Sequence, residues 1–265
     1  MSRKSLINLM TAPPKEPNDN FLHYITTGIE YLNRVEQKPS SKFYKPSSMN
    51  CQRQMYYMRT GATQDIGTST YGGIEIARTG TLRHEEIQNI LIKLNNTKHG
   101  EWKYIDVGAF VEELKKRGYC KYLECTDKRG NETHFVENRL KLSFLCDGVL
   151  WNKTEDEYYL FEFKNQASKK AMGKKQIDPE HINQVICYCL CLELDKVLML
   201  YEDRDVCTLY CPPVVKITES MKQNVEKLLL QTEEMVENHF IPKMVSNPSI
   251  CKWCKYKGQC EKDGE

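Results

Sequence analysis

Two carboxylates and a lysine in the middle of the chain combine residue types that can hydrolyse phosphodiester bonds. Asp147 falls in the apolar run 142–150, and Glu162 and Lys164 fall in the apolar run 158–164. The strand patterning of both runs predicts that these side chains are buried on adjacent strands. Burying two carboxylates beside one ammonium costs several kcal/mol unless a cation or a tight pairing compensates. The three residues are therefore a candidate site for Mg²⁺-dependent phosphodiester hydrolysis.

The tripeptide Glu-x-Lys is by itself a weak signal, because it occurs four times in a chain in which 28% of residues are charged. The copies that begin at Glu36, Glu101 and Glu113 lie in polar or helix-patterned surroundings, where a solvated surface is the default. Only Glu162 and Lys164 stand inside an apolar strand, where they share one face and two phenylalanines take the other. On these residues alone, a catalytic role and a structural ion pair are equally supported.

Two predicted helices carry polar residues at a spacing of four, which places them one above the other on a helix face. On the helix over residues 81–94, His84 and Gln88 border the apolar stripe. His84 could complete a divalent-metal site, although its spacing alone favours a hydrogen-bonded core histidine. On the helix over residues 179–194, Gln184 and Tyr188 could hold a nucleic-acid backbone or orient the lysine. A partly exposed helix face explains that pair equally well.

Four lysines follow the second acidic run directly, at Lys169, Lys170, Lys174 and Lys175. Four ammonium groups beside a carboxylate site would attract a polyanion and screen its repulsion from the acidic residues. A solvated loop is the alternative. Arg53 is a further candidate contact with DNA.

Three of the twelve cysteines, Cys251, Cys254 and Cys260, form a Cys-x2-Cys-x5-Cys pattern near the C-terminus. The surrounding Lys, Gly and Gln residues offer little core, which predicts that a metal holds the segment together. No nearby Cys or His completes the set, so Cys51, on a helix predicted to begin at residues 46–48, is the chosen fourth ligand. Four thiolates could hold Zn²⁺ or an iron–sulfur cluster, and spacing does not separate the two. The other cysteines are predicted to act as small buried hydrophobes.

The composition of the 265-residue, 31.0 kDa chain is that of a globular protein. A formal net charge of +2 gives no global basic signal, so contacts with nucleic acid must come from local patches. No window approaches the ~18 consecutive apolar residues of a membrane span. We therefore expect a soluble protein of the cytoplasm, bacterial or in a phage-infected host cell, with no membrane partner.

Periodicity places helices and strands in an order typical of a mixed α/β (α+β) fold. A loosely held arm over residues 1–20 precedes a helix over 21–35, and a loop over 61–81 precedes the His84 helix. A further helix is predicted over 106–117. Strands then begin at residue 119, with a hairpin turn near 127–131, and follow at 196–201 and 206–210. A helix over 218–239 precedes the cysteine tail.

The order of these motifs resembles the RecB-like branch of the PD-(D/E)xK nucleases. Within it, the chain is similar to the four-cysteine iron–sulfur exonucleases, which include the CRISPR-associated RecB-like exonucleases and phage-encoded relatives. The resemblance covers residues 44–260, and Cys146 stands where the family name has a proline. It is carried, in order, by Cys51; Gly80-x3-His84-x3-Gln88; Asp147; Glu162-x-Lys164; Gln184-x3-Tyr188; and Cys251-x2-Cys254-x5-Cys260.

This resemblance implies a restriction-endonuclease-like core in which a mixed central sheet is flanked by helices. A single nuclease domain would span residues 21–265, with residues 44–62 and 249–262 forming a lobe around a structural 4Fe–4S cluster. The side chains of His84, Asp147 and Glu162 and the carbonyl of Phe163 would bind Mg²⁺ or Mn²⁺. Lys164 would position and activate the attacking water. The catalytic set implied by the family is Asp147, Glu162, Lys164, Gln184 and Tyr188.

We therefore expect a DNA exonuclease that acts on single strands or DNA ends, with 5′-to-3′ digestion favoured, in recombination, repair or phage DNA metabolism. Endonuclease side activity, a homo-oligomer and recombination or CRISPR partner proteins are compatible with the same motifs. Three alternatives stay open: a non-catalytic DNA-binding adaptor subunit, a CRISPR spacer-processing nuclease, and a zinc-stapled endonuclease.

Overall fold

The computed structural model describes residues 19–36, 42–65, 70–98, 100–245, 247–252 and 254–264. The chain divides into two compact units, one of Met1–Lys38 and Ile66–Ile76 and the other of Pro39–Asp65 and Ala77–Glu265. Every candidate site residue belongs to the second unit. Nearly all of the predicted arm of residues 1–20 lies outside the described residues. The single domain predicted over residues 21–265 stays a prediction.

The helices of the described residues are α1 (Asp19–Val35), α2 (Gln52–Thr60), α3 (Tyr71–Leu94), α4 (Val107–Lys116), α5 (Ser168–Ala171), α6 (Pro179–Leu192), α7 (Glu219–Glu237), α8 (Pro248–Cys251) and α9 (Lys257–Lys262). The strands are β1 (Trp102–Ile105), β2 (Leu123–Arg129), β3 (Glu132–Glu137), β4 (Leu142–Leu145), β5 (Gly148–Asn152), β6 (Glu157–Gln166), β7 (Lys196–Asp203), β8 (Thr208–Tyr210) and β9 (Val215–Lys216). In this part of the chain, no helix is sufficiently long and apolar to cross a bilayer.

The main sheet of the second unit has the strand order β1-β5-β6-β7-β8, and β9 also pairs with β7. β6 and β7 run parallel, whereas the other neighbouring pairs are antiparallel. Ile87 of α3 packs with Phe161 and Phe163 on one face of the sheet. Val185 of α6 belongs to the larger apolar cluster on the other face, which includes Leu160. The predicted mixed α+β fold, with a mixed central sheet flanked by helices, is confirmed.

The apolar run 142–150 does not form one strand, contrary to the sequence prediction. It forms β4, which belongs to a separate antiparallel sheet of order β2-β3-β4, and β5 of the main sheet. Asp147 therefore lies between two strands of different sheets and not on a strand beside Glu162. Uninterrupted hydrophobicity marks a buried segment but does not show where the chain passes from one sheet to another.

Two helix starts also differ from the prediction. The residues Pro46–Ser48 form a 3-10 turn, and α2 begins only after Cys51, whose extended backbone makes it the N-cap. α3 begins at Tyr71 rather than near residue 81, so glycines within the predicted loop are helical. Glycine disfavours a helix by about 1 kcal/mol relative to alanine, which is a weak preference that context overrides.

Candidate active site and cysteine cluster

A cleft of about 640 Å³ collects the polar residues that the sequence singled out on four separate segments. Helix α3 supplies two of them, the β4–β5 junction one, β6 two and α6 two. The residues that line the cleft from these segments are His84, Gln88, Asp147, Glu162, Lys164, Gln184 and Tyr188. The fold thus brings together seven predicted residues that are spread over about a hundred positions of the sequence.

Asp147 is fixed through both its side chain and its main chain. Its Oδ1 lies 2.9 Å from His84 Nδ1, and its Oδ2 accepts a 2.7 Å hydrogen bond from the amide of Phe163. Its carbonyl accepts from Gln88 Nε2 at 2.9 Å and from the Tyr104 hydroxyl at 3.0 Å. Because β5 begins only at Gly148, the amide of Phe163 has no strand partner there and the carboxylate takes its place. Local strand geometry therefore sets the position of this acid.

Glycine is required at position 148 because Tyr104 lies directly against the backbone. A Cβ atom there would fall 2.5 Å from Tyr104 Cε2, closer than real Cβ contacts occur. The Asp147-Gly148 dipeptide would ordinarily indicate a turn. Here the glycine lets the tyrosine hydroxyl reach the carbonyl of Asp147.

Glu162 is 2% exposed and has two neighbours that donate to the same oxygen. Its Oε1 accepts hydrogen bonds from Lys164 Nζ at 2.6 Å and from Gln184 Nε2 at 2.9 Å. The Gln184 amide also donates to the Tyr188 hydroxyl at 2.9 Å. The other oxygen, Oε2, is buried and has no hydrogen-bond partner. A buried carboxylate oxygen without a partner is costly, and its position in the cleft is where a cation would relieve that cost.

Gln184 and Tyr188 are both buried, so the alternative of a partly exposed helix face is wrong. Asp178 is the N-cap residue of the same helix, but its side chain makes no cap bond. Its carboxylate instead accepts from Gln166 Nε2 at 2.8 Å and from Lys174 Nζ at 2.5 Å. The side chain of Asp178 therefore stabilises the loop that precedes the helix.

The carboxyl groups in the cleft outnumber its cationic groups, and burial together with this imbalance shifts their pKa values. Burial, together with the charge of Asp147, raises the pKa of Glu162 to about 7, and it does the same to Glu132 on β3. Burial would also raise the pKa of Asp147, but the hydrogen bond and charge of His84 and the charge of Lys164 lower it. Burial lowers the pKa of Lys164, yet the nearby carboxylates outweigh it and raise that pKa. The cluster therefore holds three carboxyl groups that repel one another.

Glu132 was missed by sequence reasoning. It directly follows the hairpin turn, a position where a charged residue ordinarily faces solvent. Among the described residues, one group of three or more His, Cys, Asp or Glu has ligand atoms all within 4.8 Å of one another, and it is His84, Glu132 and Asp147. No local pattern in the sequence could have found this contact, because it depends on how the hairpin packs against α3.

The predicted DNA-binding residues lie elsewhere. None of the four loop lysines lines the cleft among the residues described there. Lys169 and Lys175 are exposed, whereas Lys170 pairs with Glu180 and Lys174 with Asp178. Their contact with DNA stays a prediction.

The proposed contact of Arg53 with DNA is wrong in this structure, because its side chain is only 2% exposed. Its Nε donates to the Tyr57 hydroxyl at 3.0 Å, and the Tyr57 hydroxyl donates to Asp263 at 2.6 Å. Arg53 thus joins α2 to the C-terminal segment and lines the cavity of Cys51 and Cys260.

The four cysteines chosen from the sequence, Cys51, Cys251, Cys254 and Cys260, line one cavity of about 220 Å³ with a mainly apolar wall. Burial, with a further contribution from neighbouring cysteines, raises the pKa of Cys254 and Cys260. The amide of Tyr256 donates to Cys254 Sγ at 3.4 Å. Four thiols on three segments around one cavity form a donor set that suits a soft metal or a metal cluster.

The other cysteines divide into two groups. Cys146, Cys187, Cys189 and Cys191 are buried as predicted, and Cys120 is half-buried. The expectation of burial is wrong for Cys125, Cys207 and Cys211, which are exposed. Cys125 lies on β2, of which only the first residue is buried, and the other two lie in connections beside β8.

No protein-family model matches this chain, and no curated protein matches it. Among solved structures, the chain is similar to the crystal structure of SSO0001 at a TM-score of 0.47 and 12% identity, over 91% of this chain and 97% of that chain. It is also similar to an alkaline exonuclease, LHK-Exo from Laribacter hongkongensis, at a TM-score of 0.42 and 13% identity, over 80% and 94% of the two chains. The complex of that enzyme with dAMP matches at a TM-score of 0.42 and 13% identity, over 75% and 90%. Because these TM-scores are low, the function must be inferred from the residues of the chain itself.

Proposed function

We propose that this protein is a divalent-metal-dependent deoxyribonuclease that acts as an exonuclease on single-stranded DNA or DNA ends. The observation that carries the proposal is the convergence of Asp147, Glu162 and Lys164 in one cleft, with Glu162 Oε2 buried and unpartnered. Three carboxyl groups and an imidazole are a donor set suited to Mg²⁺ or Mn²⁺. Asp147, Glu162 and His84 would hold the ion, with the carbonyl of Phe163 as a further ligand. When bound, such an ion supplies Lewis-acid stabilisation of the phosphate and lowers the pKa of the attacking water.

The protein's own groups would fix the geometry of the reaction. Lys164 is held as an ammonium 2.6 Å from Glu162, so it can donate a hydrogen bond to the attacking water or to a phosphate oxygen. Gln184 orients Glu162 and is itself bonded to Tyr188. The water oxygen forms a bond to phosphorus while the bond to the 3′-oxygen breaks. The proton passes to that leaving group, which becomes a 3′-hydroxyl, and the new 5′-phosphate lies on the strand downstream of the cut.

We further propose that Cys51, Cys251, Cys254 and Cys260 hold a structural 4Fe–4S cluster. A single Zn²⁺ bound to four thiolates at 2.3 Å would place the sulfurs about 3.8 Å apart and would leave no space between them. Among the described residues, no three of these four sulfurs lie within 4.8 Å of one another, a spacing wider than that of a single zinc site. The cluster would join the segment that contains α2 to the C-terminal segment. Brown colour with stoichiometric iron and sulfide after anaerobic purification would support this cofactor, whereas a colourless protein with tightly bound zinc would refute it.

The nuclease is tested by incubating 5′- and 3′-labelled single and double strands with Mg²⁺ or Mn²⁺. Lys164→Ala and Asp147→Ala should abolish cleavage while the fold is kept. Lys103→Ala is the matched control, because Lys103 belongs to another Glu-x-Lys copy and is exposed on β1. Full metal-dependent activity in both site variants would refute the assignment. The position of the label in the first products reports the polarity, for which we expect 5′-to-3′ digestion.

A further inference from the structure

The β2–β3 hairpin extends a carboxylate toward the cleft from outside the main sheet. Glu132 is the first residue of β3 and pairs with Arg129 across the turn. Gly130 takes a left-handed backbone conformation at φ +62°, which suits a tight connection. The residue lies within the small sheet, so its position is independent of β6, which carries Glu162 and Lys164.

Contacts with α3 hold the hairpin tip in place. The side-chain amide of Asn131 donates to Asn89 Oδ1 at 3.0 Å. One residue along the helix, Gln88 Nε2 lies 3.4 Å from Glu132 Oε1 while it also donates to the carbonyl of Asp147 at 2.9 Å. The same amide therefore positions both acids, and the hairpin is docked where its carboxylate meets His84.

The resulting arrangement matches the dimensions of a cation site. The ligand atoms of His84, Glu132 and Asp147 all lie within 4.8 Å of one another. His84 Nδ1 and Asp147 Oδ1 are 2.9 Å apart, and two ligands at right angles on an ion with bonds of ~2.1 Å lie about 3.0 Å apart. An independent observation comes from Glu162, which lines the same cleft with a buried oxygen that has no partner.

We propose that Glu132 is a direct ligand of the divalent cation, together with His84 and Asp147. The inference rests on the proposed function and adds a ligand from the hairpin to that site. An imidazole with several carboxylates suits Mn²⁺, since Mg²⁺ keeps most of its waters and accepts few protein ligands. Mn²⁺ is therefore a suitable probe of a site to which the hairpin adds a carboxylate.

The test is Mn²⁺ binding to the metal-free protein, measured by titration calorimetry and by the electron paramagnetic resonance signal of free Mn²⁺. Glu132→Gln should weaken Mn²⁺ binding at least tenfold. Glu85→Gln is the matched control, because Glu85 lines the same cleft and is exposed, so this change removes one charge without removing a ligand. We expect its affinity to stay within twofold of the wild type. Melting temperature with and without Mn²⁺ is the second readout.

In the metal-free state, Glu132→Gln should melt no earlier than the wild type, because the change removes a half-buried charge beside Asp147. The rise in melting temperature on addition of Mn²⁺ should shrink. An unchanged Mn²⁺ affinity, or a weakening equal to that of Glu85→Gln, would overturn the role of Glu132 and leave the nuclease intact. A wild type that binds no Mn²⁺ would instead refute the metal-dependent function. If Glu132→Gln does not fold, Glu132→Asp keeps the charge but shortens the reach, and it must weaken binding at least fivefold.

Discussion

The acidic cleft and the cysteine cavity place their functional groups in different ways. In the cleft, every carboxylate that the sequence predicted is held by hydrogen bonds from the sheet or its helices. Asp147 makes four hydrogen bonds, two through its carboxylate and two through its main-chain carbonyl. Around the cysteine cavity, the described hydrogen bonds of the four thiols involve the main chain only, as for Cys254 with the amide of Tyr256. The fold therefore fixes the positions of the carboxylates in the cleft. The positions of the four sulfur atoms depend instead on the group that they bind.

The segments around the cysteines nevertheless have contacts of their own. Tyr57 and Tyr256 pack in a small apolar cluster, with ring centroids 5.9 Å apart. The carboxylate of Asp65 accepts from the amide of Gly258 at 2.9 Å. These contacts hold the C-terminal segment near α2 without fixing the thiols. Removing a bound cofactor should accordingly loosen this region and leave the cleft unchanged.

The largest expected effect is a loss of cleavage confined to the cleft. Glu162→Gln removes a charged ligand and leaves the Lys164 ammonium without its carboxylate, so the cleavage rate should fall by about three orders of magnitude. The iron content of the protein should stay the same. Glu157→Gln on the same strand is the control, because Glu157 pairs with Lys196 outside the cleft. Cleavage at the wild-type rate by Glu162→Gln would contradict the role given to this residue.

The reverse experiment alters the cysteine cavity alone. Cys260→Ser should abolish cofactor binding and should make the amides of α2 and α9 exchange at least a hundredfold faster, because the ligand that joins these segments is lost. The amides of β6 should keep their protection. Hydrogen exchange with mass spectrometry measures both regions at once, and Cys207→Ser, at an exposed position, is the control. Equal loss of protection in β6 would show that the two regions are not independent.

A smaller effect concerns pH and the carboxylates that repel one another. Because the pKa of Glu132 is about 7 in the folded protein, against 4.5 in the unfolded chain, the native state binds more protons between these values. The contribution of Glu132 to the free energy of unfolding therefore falls as pH rises from 4.5 to 7. Glu132→Gln should match the wild type near pH 4.5 and exceed its stability by about 1–3 kcal/mol at pH 8 in chelator.

Urea unfolding at several pH values checks this prediction, and the difference between the two proteins removes the titration of all other groups. Saturating Mn²⁺ should reverse the order of stability. A difference that does not vary with pH would show that Glu132 does not titrate as described.

The smallest effects are expected outside both regions, in the lysine loop. Lys175 is exposed, so Lys175→Ala should weaken DNA binding and reduce the salt dependence by about one phosphate contact. Lys174 is bonded to Asp178, so Lys174→Ala should cost about 1 kcal/mol of stability. Binding isotherms at several salt concentrations, with parallel thermal melts, separate the two outcomes. If Lys175→Ala leaves the salt dependence of DNA binding unchanged, Lys175 in this loop does not contact DNA.

The sequence predicted those parts of the site that depend on local periodicity. Glu162 and Lys164 share a face because side chains alternate along a strand. Gln184 and Tyr188 share a face because helix positions four apart lie one above the other. The same rules could only suggest that His84 and Gln88 line the cleft. Four cysteines around one cavity were also predicted from spacing and the choice of Cys51.

What could not be predicted depends on how distant segments pack. Asp147 was assigned to a strand because hydrophobicity continues through it, yet the chain changes sheets at that residue. Glu132 reaches the cleft through the docking of a hairpin, and Tyr104 reaches the carbonyl of Asp147 through the pairing of β1 with β5. Neither event leaves a local signal in the sequence. Arg53 was assigned to DNA by its charge alone, and its burial depends on Tyr57 of the same helix and on Asp263 of the C-terminal segment.

Gly148 gives the site a constraint that a search for chemical groups would overlook. The residue has no side chain, donates nothing to a ligand and cannot act on DNA, yet even alanine would collide with Tyr104. In a saturation-mutagenesis library selected for activity, position 148 should therefore tolerate as few substitutions as position 147. Ranking positions by tolerance alone would place this glycine among the reacting groups, although its contribution is the space that it leaves empty.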